Sequence, residues 1–319
     1  MGLVTTAVMQ TDAGLVRARN EDSAYADPDG RYVVVADGMG GHGAGDVASA
    51  MAVDVVRRRL DAEAGRLAAL GRAPDAEGRA ALITRLRDMV EQANDEVYQR
   101  SVREPDKHQM GTTLEVVVVC GGEALICHVG DSRTYLVRDG AVTQLTVDHT
   151  VAETMRRAGT IDDATAAVSP LRSALANAIG VTADVSVDVV PVAVRPGDRL
   201  LVCSDGLHDY LPDDGTARLV GDGAPADALA RLIALARAGG GHDNITGVML
   251  EVRGRAAATA PPVGDFDDDD QITSPVAVPI PTPLGSVSDV SVANFVEQSL
   301  REQSRPHPAP AGGPRRRGS

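Results

Sequence analysis

Apolar residues recur along this chain in two rhythms. Short runs rich in Val, Leu and Ile predict strands at 3–10, 32–36, 114–120, 124–129, 134–138, 185–192, 199–203 and 245–252. Three other stretches repeat every three to four residues and predict amphipathic helices. These are Ala48, Met51, Ala52, Val55 and Val56, then Leu82, Leu86, Met89, Val90, Ala93 and Val97, and finally Leu229, Leu232, Ile233 and Ala236. Several strands are joined by short hairpin-like turns such as CGGEA and RDGAV, which implies antiparallel pairing. Strands that are apolar throughout must be covered on both faces. Sheets stacked on one another, with helices outside, satisfy that requirement.

The pattern breaks near Gly254. Beyond it the chain reads AAATAPPVGDFDDDDQ, then a proline-rich PVAVPIPTPLG, then a basic end. Such a sequence cannot bury enough apolar surface to offset chain entropy. The expected organisation is therefore one folded domain, 1–254, and a disordered tail, 255–319. A short helix is conceivable near 289–304, where Val290, Val292, Phe295, Val296 and Leu300 form an apolar pattern. Only 2% of the residues are aromatic, so aliphatic side chains must build the core.

A formal charge of −14 argues against a nucleic-acid binder, which needs an excess of Lys and Arg. Cys120, Cys127 and Cys203 lie inside apolar runs, match no zinc spacing, and read as reduced core residues. No apolar stretch reaches the roughly 18 residues of a membrane span, and no charged leader precedes an apolar segment. A cytoplasmic protein without a transmembrane segment is expected.

Four aspartates sit where apolar runs meet turns. In VVVADGMGGHGAG a strand is expected to end on Asp37, because Gly38, Gly40, Gly41, Gly43 and Gly45 follow within a few residues. HVGDSR places Asp131 after a strand, LLVCSDGLHD places Asp205 after another, and GGGHDNITGVML places Asp243 just before the last. One Asp-Gly is ordinary turn chemistry. Four repetitions point to a site. Gathered carboxylates repel one another, and a divalent cation removes the conflict. Oxygen donors without His or Cys clusters suit magnesium or manganese, and the Gly38 carbonyl offers a further oxygen. The implied chemistry is metal-assisted hydrolysis at phosphorus. In DAGLVRARNEDS, Arg17 or Arg19 could clamp phosphate oxygens, while Glu21 and Asp22 could hold waters bound to the metal.

The ordered set VRARNEDS, VVVADGMGGHGAG, GTTLEVVVV, HVGDSRTYLVRDG, LVCSDGLHD and GGHDNIT resembles the metal-dependent protein phosphatases of type 2C in their bacterial form. The resemblance runs from about Thr5 to Val252. It implies an α+β fold, a four-layer α/β/β/α sandwich whose two central antiparallel sheets carry a dinuclear metal centre at one end. It implies two or three divalent cations, manganese or magnesium, and hydrolysis of phosphoserine and phosphothreonine in proteins. By position, Asp37 is similar to the aspartate that bridges two ions, with the Gly38 carbonyl as a further ligand. Asp205 and Asp243 match the remaining primary ligands, and Asp131 with Asp205 matches a third-metal site. Arg17 matches the phosphate-binding arginine, Arg19 has no assigned role, and Glu21, Asp22 and Asn244 fall at outer positions. Phosphoprotein substrates, Ser/Thr kinases among them, and a monomer follow from the same resemblance.

Some positions depart from the pattern. Met39 stands where animal relatives place a histidine as general acid, and the role of nearby His42 is open. The flap, roughly 147–179, diverges: Ser169, Ser173 and Asn177 replace His, Asn and Arg, which bears on substrate preference. His128 reads as a satisfied strand residue, and His149, His208 and His242 as polar turn residues. Two competing readings are a phosphatase of a small regulatory protein in a stress or sigma-factor pathway and a non-catalytic metal-binding module.

Overall fold

Two antiparallel sheets, packed face to face, form the centre of the computed structural model, which describes residues 3–40, 44–212 and 215–254. The first sheet has the order β1 (Leu3–Asp12), β11 (Ile245–Gly254), β10 (Arg199–Cys203), β7 (Arg133–Arg138), β8 (Ala141–Gln144). The second runs β2 (Asp22–Ala26), β3 (Tyr32–Met39), β5 (Leu114–Cys120), β6 (Glu123–Val129), β9 (Asp188–Ala193), and β4 (Gly111–Thr112) pairs with the end of β3.

Alternation along the strands makes three apolar layers from two sheets. Val33, Val35, Val117, Ile126, Leu200, Val202, Val248 and Leu250 point between the sheets. Their neighbours Tyr32, Val34, Val116 and Val118 point outward and are covered by α1 (Gly45–Ala62) and α3 (Ala76–Arg103). On the other side Leu201, Cys203 and Met249 meet Leu229, Leu232 and Ile233 of α8 (Pro225–Ala238). The helix–sheet–sheet–helix layering is the one the resemblance implied. Leu200→Ala at the inter-sheet layer would leave a cavity of the kind that costs about 2–5 kcal/mol. Short helices α2 (Ala64–Arg72), α6 (Asp205–His208) and α7 (Thr216–Gly221) complete the outer layers, and α4 (Val151–Arg157) and α5 (Asp163–Ala167) belong to the flap.

The structure alters several expected boundaries. β3 does not stop at Asp37 but continues to Met39, because Gly38 and Met39 pair with Thr112 and Gly111. The last strand of the second sheet is Asp188–Ala193, three residues later than its apolar run began. β2 carries no apolar alternation and exists because Asp22 to Ala26 pair residue by residue with Asp37 to Val33. β8 follows a two-residue turn in which Asp139 and Gly140 both have positive φ, 53° and 76°, the geometry that a tight hairpin requires. Among the described residues no helix is long and apolar enough to cross a membrane. His42, the tail and its apolar pattern near 289–304 lie outside the described residues.

Candidate metal centre

The strand ends bring the predicted carboxylates to one end of the sandwich. Asp22 and Asp37 are register partners across β2 and β3. Asp205 opens α6 directly after β10, Asp131 follows β6, and Asp243 precedes β11. Electrostatically these five groups belong to one cluster: Asp22, Asp205, Asp131 and Asp243 all bear on Asp37. Asp37 keeps part of its surface open to the cleft. The dense protein around it, reinforced by those like charges, nevertheless pushes its carboxyl well above the usual range. Asp131 and Asp205 are raised for the same reasons, burial first. Burial and the proximity of Asp205 push Asp22 up to about 6, although Ser204 Oγ donates to its Oδ2 at 2.8 Å.

Backbone pairing and buried hydroxyls hold the cluster in place. Thr113 Oγ1 accepts from the Asp37 N–H at 2.9 Å, and Thr112 Oγ1 donates to the Asp37 carbonyl at 2.8 Å. Thr113 Oγ1 also meets Ser132 Oγ at 2.8 Å, tying Asp37 to the turn of Asp131. These threonines and Ser204 carry no signal of their own in the sequence, although the run GTTLEVVVV contains two of them. Gly38 has no room for a side chain: a Cβ there would lie 2.2 Å from the Gly45 carbonyl and 2.4 Å from that of Glu21. The chain can therefore pass between β2 and α1 only with glycine at this position.

Asn244 clamps the loop that carries the arginines. Its Oδ1 accepts from the Glu21 N–H at 2.8 Å, and its Nδ2 donates to the carbonyls of Ala13 at 3.0 Å and Arg19 at 2.8 Å. Arg17 at the tip of this loop donates to Asp243 Oδ2 at 2.6 Å, with half of its own side chain exposed. Arg19 is exposed. Glu21 is partly buried, and burial raises its carboxyl.

The donor set fits a hard divalent cation. All the side-chain donors are carboxylate oxygens, and the buried Oδ1 atoms of Asp22 and Asp205 have no hydrogen-bond partner. As the side chains stand, no three His, Cys, Asp or Glu among the described residues converge on a common point, and Asp243 is turned onto Arg17. The mutual repulsion just described is what a cation would relieve.

Beside Asp131 and Asp205 a cavity of about 310 Å³ extends under the flap, lined by Arg133, Asp148, Arg156, Arg172 and Ser173 among others. Arg133 holds Asp148 through two hydrogen bonds of 2.8 and 2.7 Å. Met39 packs against Leu175 and Ala178 of the flap. Of the histidines, His128 is a buried strand residue as expected, and His242 is exposed. His208 and His149 are not open turn residues. His208 is buried and its Nε2 meets the Asp131 carbonyl at 3.0 Å, and His149 is drawn into a polar network described below.

Comparison with known proteins agrees with this geometry. The Protein phosphatase 2C family model matches residues 16–234. The chain is 37% identical over 276 residues to the serine/threonine protein phosphatase PstP of Mycobacterium tuberculosis, covering 86% of this chain and 50% of that protein. It thus spans about half the length of the PstP sequences it matches. It is 36% identical over 250 residues to the serine/threonine phosphatase stp of Listeria monocytogenes, covering 77% of this chain and 95% of that one. The crystal structure of the PstP catalytic domain in complex with two manganese ions superposes with a TM-score of 0.66 at 36% identity, over 79% of this chain and all of that one. The sandwich, the ordered motifs and the gathered carboxylates have one common source: this chain belongs to the protein phosphatase 2C family.

Proposed function

We propose that the chain is a metal-dependent protein phosphatase that hydrolyses phosphoserine and phosphothreonine in proteins. The observation that carries this reading is the cluster of Asp37, Asp205, Asp243, Asp131 and Asp22 at one end of the sandwich, with buried carboxylate oxygens left unpaired. Asp37, the Gly38 carbonyl, Asp205 and Asp243 would hold two manganese or magnesium ions, and Asp131 with Asp205 a third. Bound there, the ions supply a water that is nucleophilic near neutral pH and positive charge for the phosphate oxygens. The remaining work belongs to the protein. Arg17 orients the phosphate from the rim, Thr112 and Thr113 fix the backbone of Asp37, and Asn244 holds the Arg17 loop. Glu21, Asp22 and Asn244 surround the ligands without being ligands themselves. Met39 has no exchangeable proton, so it cannot serve as a general acid.

The catalytic domain is residues 1–254, and 255–319 form an appended tail. Substrates are phosphoproteins, Ser/Thr kinases among them. The enzyme works as a monomer in the cytoplasm. PstP and stp bear the name of serine/threonine phosphatases, which supports the substrate class.

The test is hydrolysis of a phosphothreonine peptide with and without manganese. Activity should require the ion, and a chelator should abolish it. Asp243→Asn should lower kcat/KM by at least about a hundredfold, because loss of metal-borne charge stabilisation costs several kcal/mol of barrier. Its circular dichroism spectrum should be unchanged. A variant within about tenfold of wild type would overturn the assignment of Asp243.

A further inference from the structure

Outside the carboxylate cluster, a fully buried pair of titratable groups lies between the sheets on the flap side. Glu115 of β5 and His128 of β6 are both fully buried. Glu115 Oε2 meets His128 Nδ1 at 2.7 Å, its other oxygen accepts from Thr134 Oγ1 across the sheet interface, and His128 Nε2 faces the Val147 carbonyl at 3.0 Å. Both nitrogens of His128 thus face acceptors, which favours the ring with a proton on each. Burial opposes that charge, but Glu115, with Asp148 and Asp188 beyond it, outweighs burial and holds His128 above its usual range.

His149 packs against this ring at a tilt, with centroids 4.5 Å apart and planes 55° apart, and has the opposite surroundings. Its Nδ1 faces two donors, the Gly130 N–H at 3.2 Å and the Asn177 amide at 2.9 Å. The orientation of Asn177 is fixed, because its Nδ2 also donates to the Ser186 carbonyl at 2.8 Å and its Oδ1 accepts from the Ser186 N–H at 3.2 Å. Nδ1 must therefore be the bare nitrogen, and Nε2 carries the hydrogen toward Asp188 Oδ2 at 3.3 Å. The backbone of His149 repeats the connection. Its N–H donates to the Gly130 carbonyl at 2.7 Å, and its carbonyl accepts from the Ala176 N–H at 2.8 Å. Gly130 immediately precedes Asp131, and Ala176 and Asn177 belong to the flap.

We propose that His149, as the neutral Nε2–H ring, is a positioning residue that latches the flap onto the turn carrying Asp131, and that a second proton loosens the latch by breaking its side-chain links. A proton on Nδ1 would set three donors against one another and remove both side-chain links at once. Burial favours the neutral ring more than the surrounding charges oppose it. Burial disfavours a cation, as does His128 behind it, while Asp188 of β9 and Asp148 pull the other way. Arg157 of α4 faces Asp188 and favours its ionised form. Asn177 is essential to this arrangement, and it stands where the family pattern has arginine. The role as a positioning residue for catalysis rests on the phosphatase reading above, but the latch itself does not.

The test reads the latch without reading activity. Nitrogen NMR of the full-length chain with magnesium present should show His149 as the Nε2–H tautomer at about pH 7.5. Protection of the Gly130 amide against hydrogen exchange, corrected for the intrinsic rate, should fall about tenfold as pH drops to about 5.5. In His149→Asn the amide oxygen can accept from the same two donors and cannot titrate, so protection should stay level across that range. In His149→Phe protection should be low at every pH. With a phosphopeptide, the Phe variant should raise KM more than it lowers kcat, and Asn should restore both. An Nδ1–H tautomer in the wild type, or an Asn variant with the wild-type pH dependence, would overturn the latch. Either result would leave the phosphatase reading untouched, and a chain inactive on phosphopeptides would leave the exchange and tautomer results standing.

Discussion

At Arg17 a single guanidinium faces two demands. In the structure it is bound to Asp243, and in the proposed reaction it must reach phosphate. With Asp243 it uses one nitrogen and one carboxylate oxygen, whereas a phosphate offers a fork that arginine can match with paired N–H groups. Arg17→Ala should raise KM for a phosphopeptide about tenfold or more while changing kcat less, and Arg17→Lys should recover only part of the loss, since a point charge replaces a fork. Steady-state kinetics decide it, and a defect reproduced by Arg19→Ala but absent from Arg17→Ala would reverse the roles. The chemistry-bearing residues were legible because they recur: an apolar run followed by aspartate appears at Asp37, Asp131 and Asp205, and Asp243 mirrors it before β11. Thr113, Ser204 and Glu115 were not legible. Their importance comes from partners 19 to 182 positions away in the chain, which no local pattern records.

Among the elements, β3 shows what periodicity can and cannot say. Its apolar run marked the strand, but its end was misread because the glycines following it suggest a loop. Gly38 instead stays in the strand, since α1 and β2 approach too closely for any Cβ. Gly38→Ala should therefore destabilise the chain by about 3 kcal/mol or more, by forcing two backbones apart. Gly65 provides the control. It lies in α2 with nothing within 4 Å of an added Cβ, so Gly65→Ala should stabilise by about 0.5–1 kcal/mol. Urea denaturation of both variants measures the contrast, and equal midpoints would refute it. The helices that the sequence revealed, α1, α3 and α8, are those with long apolar stripes against a sheet. Short α4 to α7 bury too few residues to leave a readable stripe.

For the whole molecule, the carboxylate cluster ties stability to pH and to metal. Burial and mutual repulsion raise Asp37, Asp131 and Asp205, and Asp22 is pushed up to about 6. A raised carboxyl favours the proton in the folded state, so its contribution is complete below the unfolded pKa, near 3.9, and is lost as pH rises through the folded value. Without metal, the melting temperature should therefore begin to fall as pH rises above about 4, and the contribution of Asp22 should be gone once pH has passed about 6. His149 opposes this trend, since its lowered pKa contributes stability above about 6.5 that is lost as pH falls. Glu21, Glu115 and His128 are raised as well, so in that range more groups follow the trend than oppose it. Saturating magnesium should flatten or invert the slope, because the cation takes the place of the protons, and calorimetry with and without chelator checks this. Identical slopes would show that the carboxylates do not share a cation. The pairing of β1 with β11 fixes one more property of the molecule. β11 starts beside Asp243 and runs ten residues to Gly254, about 30 Å at the usual rise of a strand. Gly254, the last of the described residues, therefore lies at the pole of the sandwich opposite Asp243. Anything bound at that pole would leave the carboxylate end clear.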